Sequence, residues 1–430
     1  MATSAQLRER IAAGEWDASL TALYGDRPQE LARQRERYCA ALEQFEQYFG
    51  PGRQVRIYSA PGRAELGGNH TDHQHGYGLA AAVTLDLVAV AARNEDGYVR
   101  VKSHGFNKLD VIDLATAEPQ EGESTHSASL IRGIAEGLRA AGRCIGGFDA
   151  YTTSDVLRGS GLSSSAAFEM GMAAVWNGEY DCGLDAPSLA KICQYAENIY
   201  FGKPSGLLDQ LTSAMGGVIF ADFADPAAPK VEKIHAEGLL PPDMVLCVTD
   251  THASHSELTG EFAAIRKEME QVAGCLGKKV LGEVPEPEFW AAVPRLRECC
   301  GDRAVLRAIH YFEENARALE QRDALEQKRF ARFARLVNAS GISSFTLCQN
   351  VYCASDVRQQ GLSVALALTQ SILQGSEGAW RMQGGGFAGT IQAYVPRAKL
   401  EHYYNEIERV FGKGSCYVLR LREAGALCVI

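Results

Sequence analysis

The sequence predicts an α+β fold in two parts rather than a doubly wound sheet. Segments with the two-residue alternation of strands mix with segments of helical spacing, and no regular strand–helix–strand alternation links them. The chain has 430 residues, enough for two or three cores. The pattern changes close to residues 235–240, after a Pro/Ala-rich surface turn at 225–229. The expected division is therefore 1–237 and 238–430.

Composition narrows the class of protein. A hydrophobic share of 46% and a charged share of 22% are those of a globular chain, which sets aside a disordered one. The formal net charge of −10 argues against nucleic acid or an anionic membrane as the main partner. The first ten residues lack the apolar core of a signal peptide. The longest apolar run, 77–92, is broken by Thr84 and Asp86 and is too short to span a bilayer. Twelve cysteines form no C-x-x-C pair, which fits buried thiols in a reducing cytoplasm better than disulfides or a zinc site.

In chain order, residues 5–50 read as two charged amphipathic helices broken near Gly25 and Pro28, laid over the first domain. Residues 53–60 read as a strand ended by Pro61-Gly62, and 63–76 as a polar loop. Strands resume at 85–93 and 98–103 around the turn Asn94-Glu95-Asp96-Gly97. Residues 127–141 form a helix and 147–153 a strand. Helices follow at 166–176, 187–200 and 207–215, then a strand at 218–223. Beyond the division, 244–250 is a buried strand and 257–274 a charged helix. Residues 302–338 give one or two helices whose opposite charges read as a solvated face. Residues 355–375 are helical with an interruption at Gly361. Strand 380–383, glycine loop 384–389, strand 390–395, helix 398–411 and strand 415–422 close the chain.

Four clusters carry the chemistry. Gly62-Arg63-Ala64-Glu65-Leu66-Gly67-Gly68-Asn69-His70-Thr71-Asp72-His73 offers donors and acceptors at a density suited to a polyhydroxylated molecule. A metal site or a hydrated loop remains open from the residues alone. Gly159-Ser160-Gly161-Leu162-Ser163-Ser164-Ser165-Ala166 is a glycine turn at a helix start. Its unpaired N–H groups and hydroxyls suit an anion, the alternative being a tight turn with serine caps. It lacks the Gly-Lys-Ser/Thr ending of a Walker A loop. Glu197 and Asp209 flank a Gly/Pro/Ser loop containing Gly206. One could hold a cation and the other handle a proton, or they are a surface carboxylate and a helix cap. Gly384-Gly385-Gly386-Phe387-Ala388-Gly389 by itself could be a flexible hairpin.

In this order and spacing the four clusters resemble the GHMP small-molecule kinases, and among them the galactokinases. Arg63, Gly68, His70, Thr71 and Asp72 match the signature G-R-V-N-L-I-G-E-H-T-D-Y. The serine loop is similar to G-x-G-L-S-S-S-A, residues 206–210 to G-x-x-D-Q, and 384–389 to G-G-G-F-G-G. The resemblance implies an N-terminal domain like the second domain of ribosomal protein S5, a ferredoxin-like C-terminal domain and an active site between them. It implies ATP and Mg²⁺ as cofactors, a sugar as substrate, a cytoplasmic location, and no nucleic acid or membrane partner. Oligomeric state stays open, a monomer included.

The resemblance also implies roles. Asp209 is the expected catalytic base or electrostatic orienter beside the anomeric hydroxyl, with Arg63 as its catalytic partner. Residues 159–166 are expected to bind ATP, Ser165 and Glu197 the metal, and Gly384, Gly385 and Gly386 to form the third motif. Asn69, His70, Asp72, Gly206 and Phe262 are the expected sugar contacts. Asn69 stands where the signature has a glutamate, and Phe262 where the resembled segment has a tyrosine. The implied substrate is galactose. A sugar with a C6 carboxylate is the alternative, because a glutamate at position 69 would repel it; a non-catalytic sugar and ATP sensor is a third reading.

Overall fold

The computed structural model describes residues 2–156, 161–203, 205–253, 259–354 and 356–430. The chain begins with a short strand β1 (Ala2–Thr3) and three helices, α1 (Ser4–Ala12), α2 (Asp17–Tyr24) and α3 (Pro28–Phe49). Two long strands follow, β2 (Gln54–Gly67) and β3 (Tyr77–Arg93), then β4 (Tyr98–Ser103), β5 (Leu109–Asp113), α4 (Ser127–Ala140) and β6 (Phe148–Ser154). Helices α5 (Ser164–Glu179), α6 (Ala186–Tyr195) and α7 (Leu208–Met215) precede β7 (Val218–Asp222) and β8 (Lys230–Ile234). Next come β9 (Met244–Asp250) and four helices, α8 (Thr259–Cys275), α9 (Glu286–Cys300), α10 (Asp302–Glu326) and α11 (Phe330–Ser343). The chain ends with α12 (Gly361–Leu373), β10 (Ala379–Met382), β11 (Thr390–Pro396), α13 (Arg397–Phe411), β12 (Cys416–Leu419) and β13 (Leu427–Cys428). Among the described residues no helix is long and apolar enough to cross a membrane.

The strands form two sheets. The larger runs β1-β2-β3-β6-β4-β5, with β13 beside β2, and with β7 followed by β8 on the other half of β3. Strands β4 and β6 are parallel, whereas β2 and β3 are antiparallel. The smaller sheet has the order β10-β11-β9-β12.

Strand β3 shows why the run 77–92 is apolar on both sides. Leu87, Ala89 and Ala91 belong to the core beneath α4 to α7, while Val88, Val90 and Ala92 lie under α1, α2 and α3. A strand covered on both faces loses the apolar/polar alternation. The N-terminal flank is thus a second layer over the sheet, built from three helices where two were expected.

Pro61 does not end β2. It pairs with Asp86, and a register shift between Pro61 and Arg63 marks a bulge. A bulge tolerates the missing proline N–H, so the strand continues into the first polar cluster. The chain passes from the larger sheet to the smaller between Ile234 and Met244, and part of it returns. Leu427 pairs with Ser59 and Cys428 with Tyr58, while Leu325, Phe330 and Phe333 join the core of the larger sheet.

Candidate active site

Arg63, near the end of β2, and Asp209, in the first turn of α7, meet directly. Arg63 Nε donates to Asp209 Oδ1 at 2.7 Å, and its Nη1 donates to the Gly161 carbonyl at 2.6 Å. Ser163 Oγ donates to the other carboxylate oxygen at 2.5 Å. Burial pushes the Asp209 carboxyl upward. The Arg63 guanidinium and the hydrogen bonds from Ser163 and Arg63 outweigh it and hold the group below its ordinary value. Asp209 is therefore a carboxylate at neutral pH, with 34% of its side chain exposed for a substrate to reach.

Ser163 has φ +57°, a left-handed conformation that costs a non-glycine residue roughly 1–2 kcal/mol. In that position its hydroxyl serves Asp209 and does not cap α5. The first bond of the helix runs from Ala167 N to Ser163 O at 3.1 Å. The N–H groups of Ser164, Ser165 and Ala166 are thus left without intrahelical acceptors, the arrangement that binds phosphate. Leu162 and Ala166 are buried and anchor the turn. Gly159 and Ser160, expected in the same loop, lie outside the described residues.

Glu197 sits in a single π-helical turn (Ala196–Phe201) after α6. Its Oε1 accepts from Ser165 Oγ at 3.1 Å and Lys203 Nζ at 2.8 Å, and its Oε2 from Gln210 Nε2 at 2.9 Å. The two residues expected to hold a metal are therefore neighbours. A carboxylate and a hydroxyl are hard oxygen donors that fit Mg²⁺. Sequence reasoning missed Lys203 and also Glu169, whose carboxyl burial and Glu197 push well above the ordinary range. Gln210 Nε2 bridges the two acids, reaching Glu169 Oε2 at 3.0 Å.

The sugar-type loop and the third glycine motif are in contact. His70 Nε2 lies 2.9 Å from the Gly385 carbonyl, and Gly161 approaches Gly384 closely enough that a Cβ on Gly384 would lie 3.3 Å from the Gly161 Cα. Asp72 Oδ1 accepts from its neighbour's amide, His73 N, at 2.8 Å. A Cβ at Gly206 would collide with Asp72 Oδ2, which explains a glycine at that position.

Two expected sugar contacts also hold the loops together. Asn69 is 1% exposed. Its Nδ2 donates to Glu65 Oε1 at 2.9 Å and to the Gly384 carbonyl at 2.7 Å, and its Oδ1 accepts from Asn350 Nδ2 at 2.9 Å. The amide is committed to joining two loops. Phe262 stacks edge-on against Phe387, with ring centroids 5.4 Å apart. A Cβ on Gly385 would lie 2.6 Å from its ring, so Phe262 braces the third motif. At Gly386, φ is +91° and a Cβ would strike the Asn350 carbonyl.

Behind the loops stands α10, which the sequence presented as a solvated face. Glu314 Oε1 accepts from the amides of Gly68 at 3.2 Å and Asn69 at 3.4 Å and from Ser340 Oγ at 2.7 Å. His310 Nε2 donates to the Asn69 carbonyl at 3.0 Å, and Gln321 Nε2 to the Leu66 carbonyl at 3.2 Å. Their spacing of 4 and then 7 residues along one helical stripe was the signal available in the sequence.

The profile described as the GHMP kinases N terminal domain matches residues 129–217, and that of the galactokinase galactose-binding signature matches residues 43–93. The chain is 31% identical to a galactokinase of Streptomyces coelicolor over 389 residues, covering 89% of this chain and 95% of that one. It is 30% identical to a galactokinase of Glaesserella parasuis over 361 residues, covering 83% and 89%. The crystal structure of Lactococcus lactis galactokinase complexed with galactose superposes with a TM-score of 0.77 at 25% identity, covering 89% and 97%. Methanococcus jannaschii mevalonate kinase shares the fold, with a TM-score of 0.62 at 15% identity over 86% of this chain and 99% of that one. Fold and site define an α+β sugar kinase of the GHMP class. The chain belongs to the galactokinase family.

Proposed function

We propose that this protein transfers the γ-phosphoryl group of ATP to the anomeric hydroxyl of galactose, giving galactose 1-phosphate and ADP. The observation that carries the reading is Asp209, a part-exposed carboxylate fixed by Arg63 and Ser163 beside an uncapped helix N-terminus. The bond formed joins the anomeric oxygen to the γ-phosphorus; the bond to the β–γ bridging oxygen breaks, and ADP leaves with its electron pair. Asp209 orients the hydroxyl and accepts its proton as the new bond forms. Its lowered pKa suits a late proton transfer, because most of the catalysis is positioning and charge neutralisation. Arg63 holds Asp209 ionised and faces the transferring group. The α5 N-terminus with Gly161 and Ser163 to Ser165 receives the phosphates, and His70 and Asp72 bind sugar hydroxyls beside Gly206. Mg²⁺, held by Glu197 and Ser165, would neutralise phosphate charge. Asn69 and Phe262 act through the loops they join.

The test is ADP release by purified protein with ATP·Mg²⁺ against galactose, galacturonate, glucose, N-acetylgalactosamine, arabinose and mevalonate. Galactose should give the highest kcat/KM, with galactose 1-phosphate identified by phosphorus NMR. Turnover confined to another sugar would overturn the substrate, and no turnover on any would overturn the kinase.

A further inference from the structure

The C-terminal ends of α8 and α9 bring three thiols together. Cys275 Sγ lies 3.4 Å from Cys300 Sγ, which lies 4.0 Å from Cys299 Sγ, and the three sulfurs are all within 4.8 Å of one another. Two thiolates bound to one ion at about 2.3 Å sit roughly 3.8–4.0 Å apart in tetrahedral or trigonal geometry. The cluster already has nearly that spacing. No sequence pattern announced it, because Cys299 and Cys300 are adjacent and Cys275 is on another helix.

Two hydrogen bonds between the helices hold the arrangement. Arg295 Nη2 donates to the Cys275 carbonyl at 3.2 Å, and Gln271 Nε2 to the Cys299 carbonyl at 3.4 Å. The carbonyl ends of both helices carry partial negative charge, which favours a cation and disfavours a bare thiolate.

We propose that Cys275, Cys299 and Cys300 bind one soft, thiophilic metal ion of the Zn²⁺/Cd²⁺/Cu⁺ class as three thiolates. Each thiol gives up one proton to solvent, the three sulfur–metal bonds replace three sulfur–hydrogen bonds, and no electrons change hands. The ion links α8 to α9. Because Phe262 at the other end of α8 packs on Gly385, the link also steadies the helix that braces the third motif.

The test uses the full chain, reduced and stripped with chelator, then titrated with Cd²⁺ while thiolate-to-metal charge-transfer absorption is followed, with Zn²⁺ as competitor. One equivalent should bind, Zn²⁺ should displace it, and galactokinase turnover should persist in Cys275→Ser and Cys300→Ser. Those variants should lose affinity by at least roughly tenfold, whereas Cys144→Ser and Cys428→Ser should not. On wild-type protein alone, Zn²⁺ should shield Cys275, Cys299 and Cys300 from alkylation, as mapped by mass spectrometry. Equal binding by all variants, or unshielded cysteines, would overturn the proposal. So would a Cys275–Cys300 disulfide in metal-free protein handled without oxidant, which would make the pair a redox couple.

Discussion

Asp209 is charged because of what touches it, so its neighbours can be used to test its role. Asp209→Asn keeps the shape and removes both the charge and the proton acceptor. It should lower kcat by about 10²–10⁴-fold while galactose binding, read by calorimetry, persists. Near-normal turnover would remove Asp209 from its assigned role. Glu65 and Asn69 make a second residue-scale case. The signature that the first cluster resembles has asparagine and glutamate at these two positions; here they are exchanged. Asn69 Nδ2 and Arg381 Nη2 each donate to Glu65 Oε1 at 2.9 Å, and Arg381 is fully buried. The carboxylate therefore sits on the Arg381 side of the pair. Asn69→Glu alone would set two carboxylates against each other, and Glu65→Asn alone would leave Arg381 without this partner. Combining them should recover about 1–3 kcal/mol over the sum of the single changes in urea denaturation. Strict additivity would show that the two positions do not act as a pair.

Helix α10 shows how an element can look like surface and work as a brace. Arg307, His310, Glu314 and Gln321 are all buried, and the last three hold the backbone of the first cluster. Burial lowers the His310 imidazole to about 4, and Glu314 is held at about 2 because Arg317, Arg381 and His310 outweigh its burial. Between pH 6.5 and 4 the unfolded chain takes up a proton at His310 that the folded chain refuses, so stability falls as the pH is lowered. Protonation of Glu314 in the unfolded chain continues the loss from about pH 4.5 downward. The His310 contribution amounts to roughly 3 kcal/mol by pH 4. His310→Gln should flatten the slope of urea stability between pH 6.5 and 4; an unchanged slope would place the titration elsewhere. Charges in a helix look solvated when its partners are backbone amides and carbonyls, because those partners leave no mark in the sequence. The glycine loops were legible for the opposite reason. Gly206, Gly385 and Gly386 lie where another group comes too close for a side chain, and Gly161 and Gly384 have positive φ, demands that restrict residue type directly. Pro61 misled because a bulge depends on the partner strand, and β5, β8 and α9 were missed because their patterns are short or highly charged.

At the scale of the molecule, Asp86 on β3 is the point where three distant segments meet. Arg37 Nη1 donates to its Oδ1 at 2.7 Å, Tyr24 OH to its Oδ2 at 2.6 Å, and Arg422 Nη1 to Oδ2 at 3.0 Å, with Ser59 Oγ alongside. Burial pushes the Asp86 carboxyl upward, but the two arginines hold it below its ordinary value. Asp86→Ala leaves the buried Arg422 without a carboxylate and Arg37 with Asp155 alone, and should cost about 3–5 kcal/mol in urea denaturation, whereas Tyr24→Phe should cost about 1 kcal/mol. A loss below 1 kcal/mol for Asp86→Ala would mean that the network is dispensable. The return of β13 to β2 has a consequence for how the molecule is made. Residues 427–428 leave the ribosome after the other strands of the larger sheet, yet they pair with its second strand in sequence order, where Arg422 also donates to Ser59. Until then the outer edge of β2 beyond β1 has no strand to pair with, and unpaired edges recruit other chains. Closing the sheet is therefore a late, long-range event, of the kind that slows folding and lengthens exposure to aggregation. Residues 1–237 expressed alone should gather in the insoluble fraction, and a peptide of residues 420–430 supplied in trans should return part of them to solution.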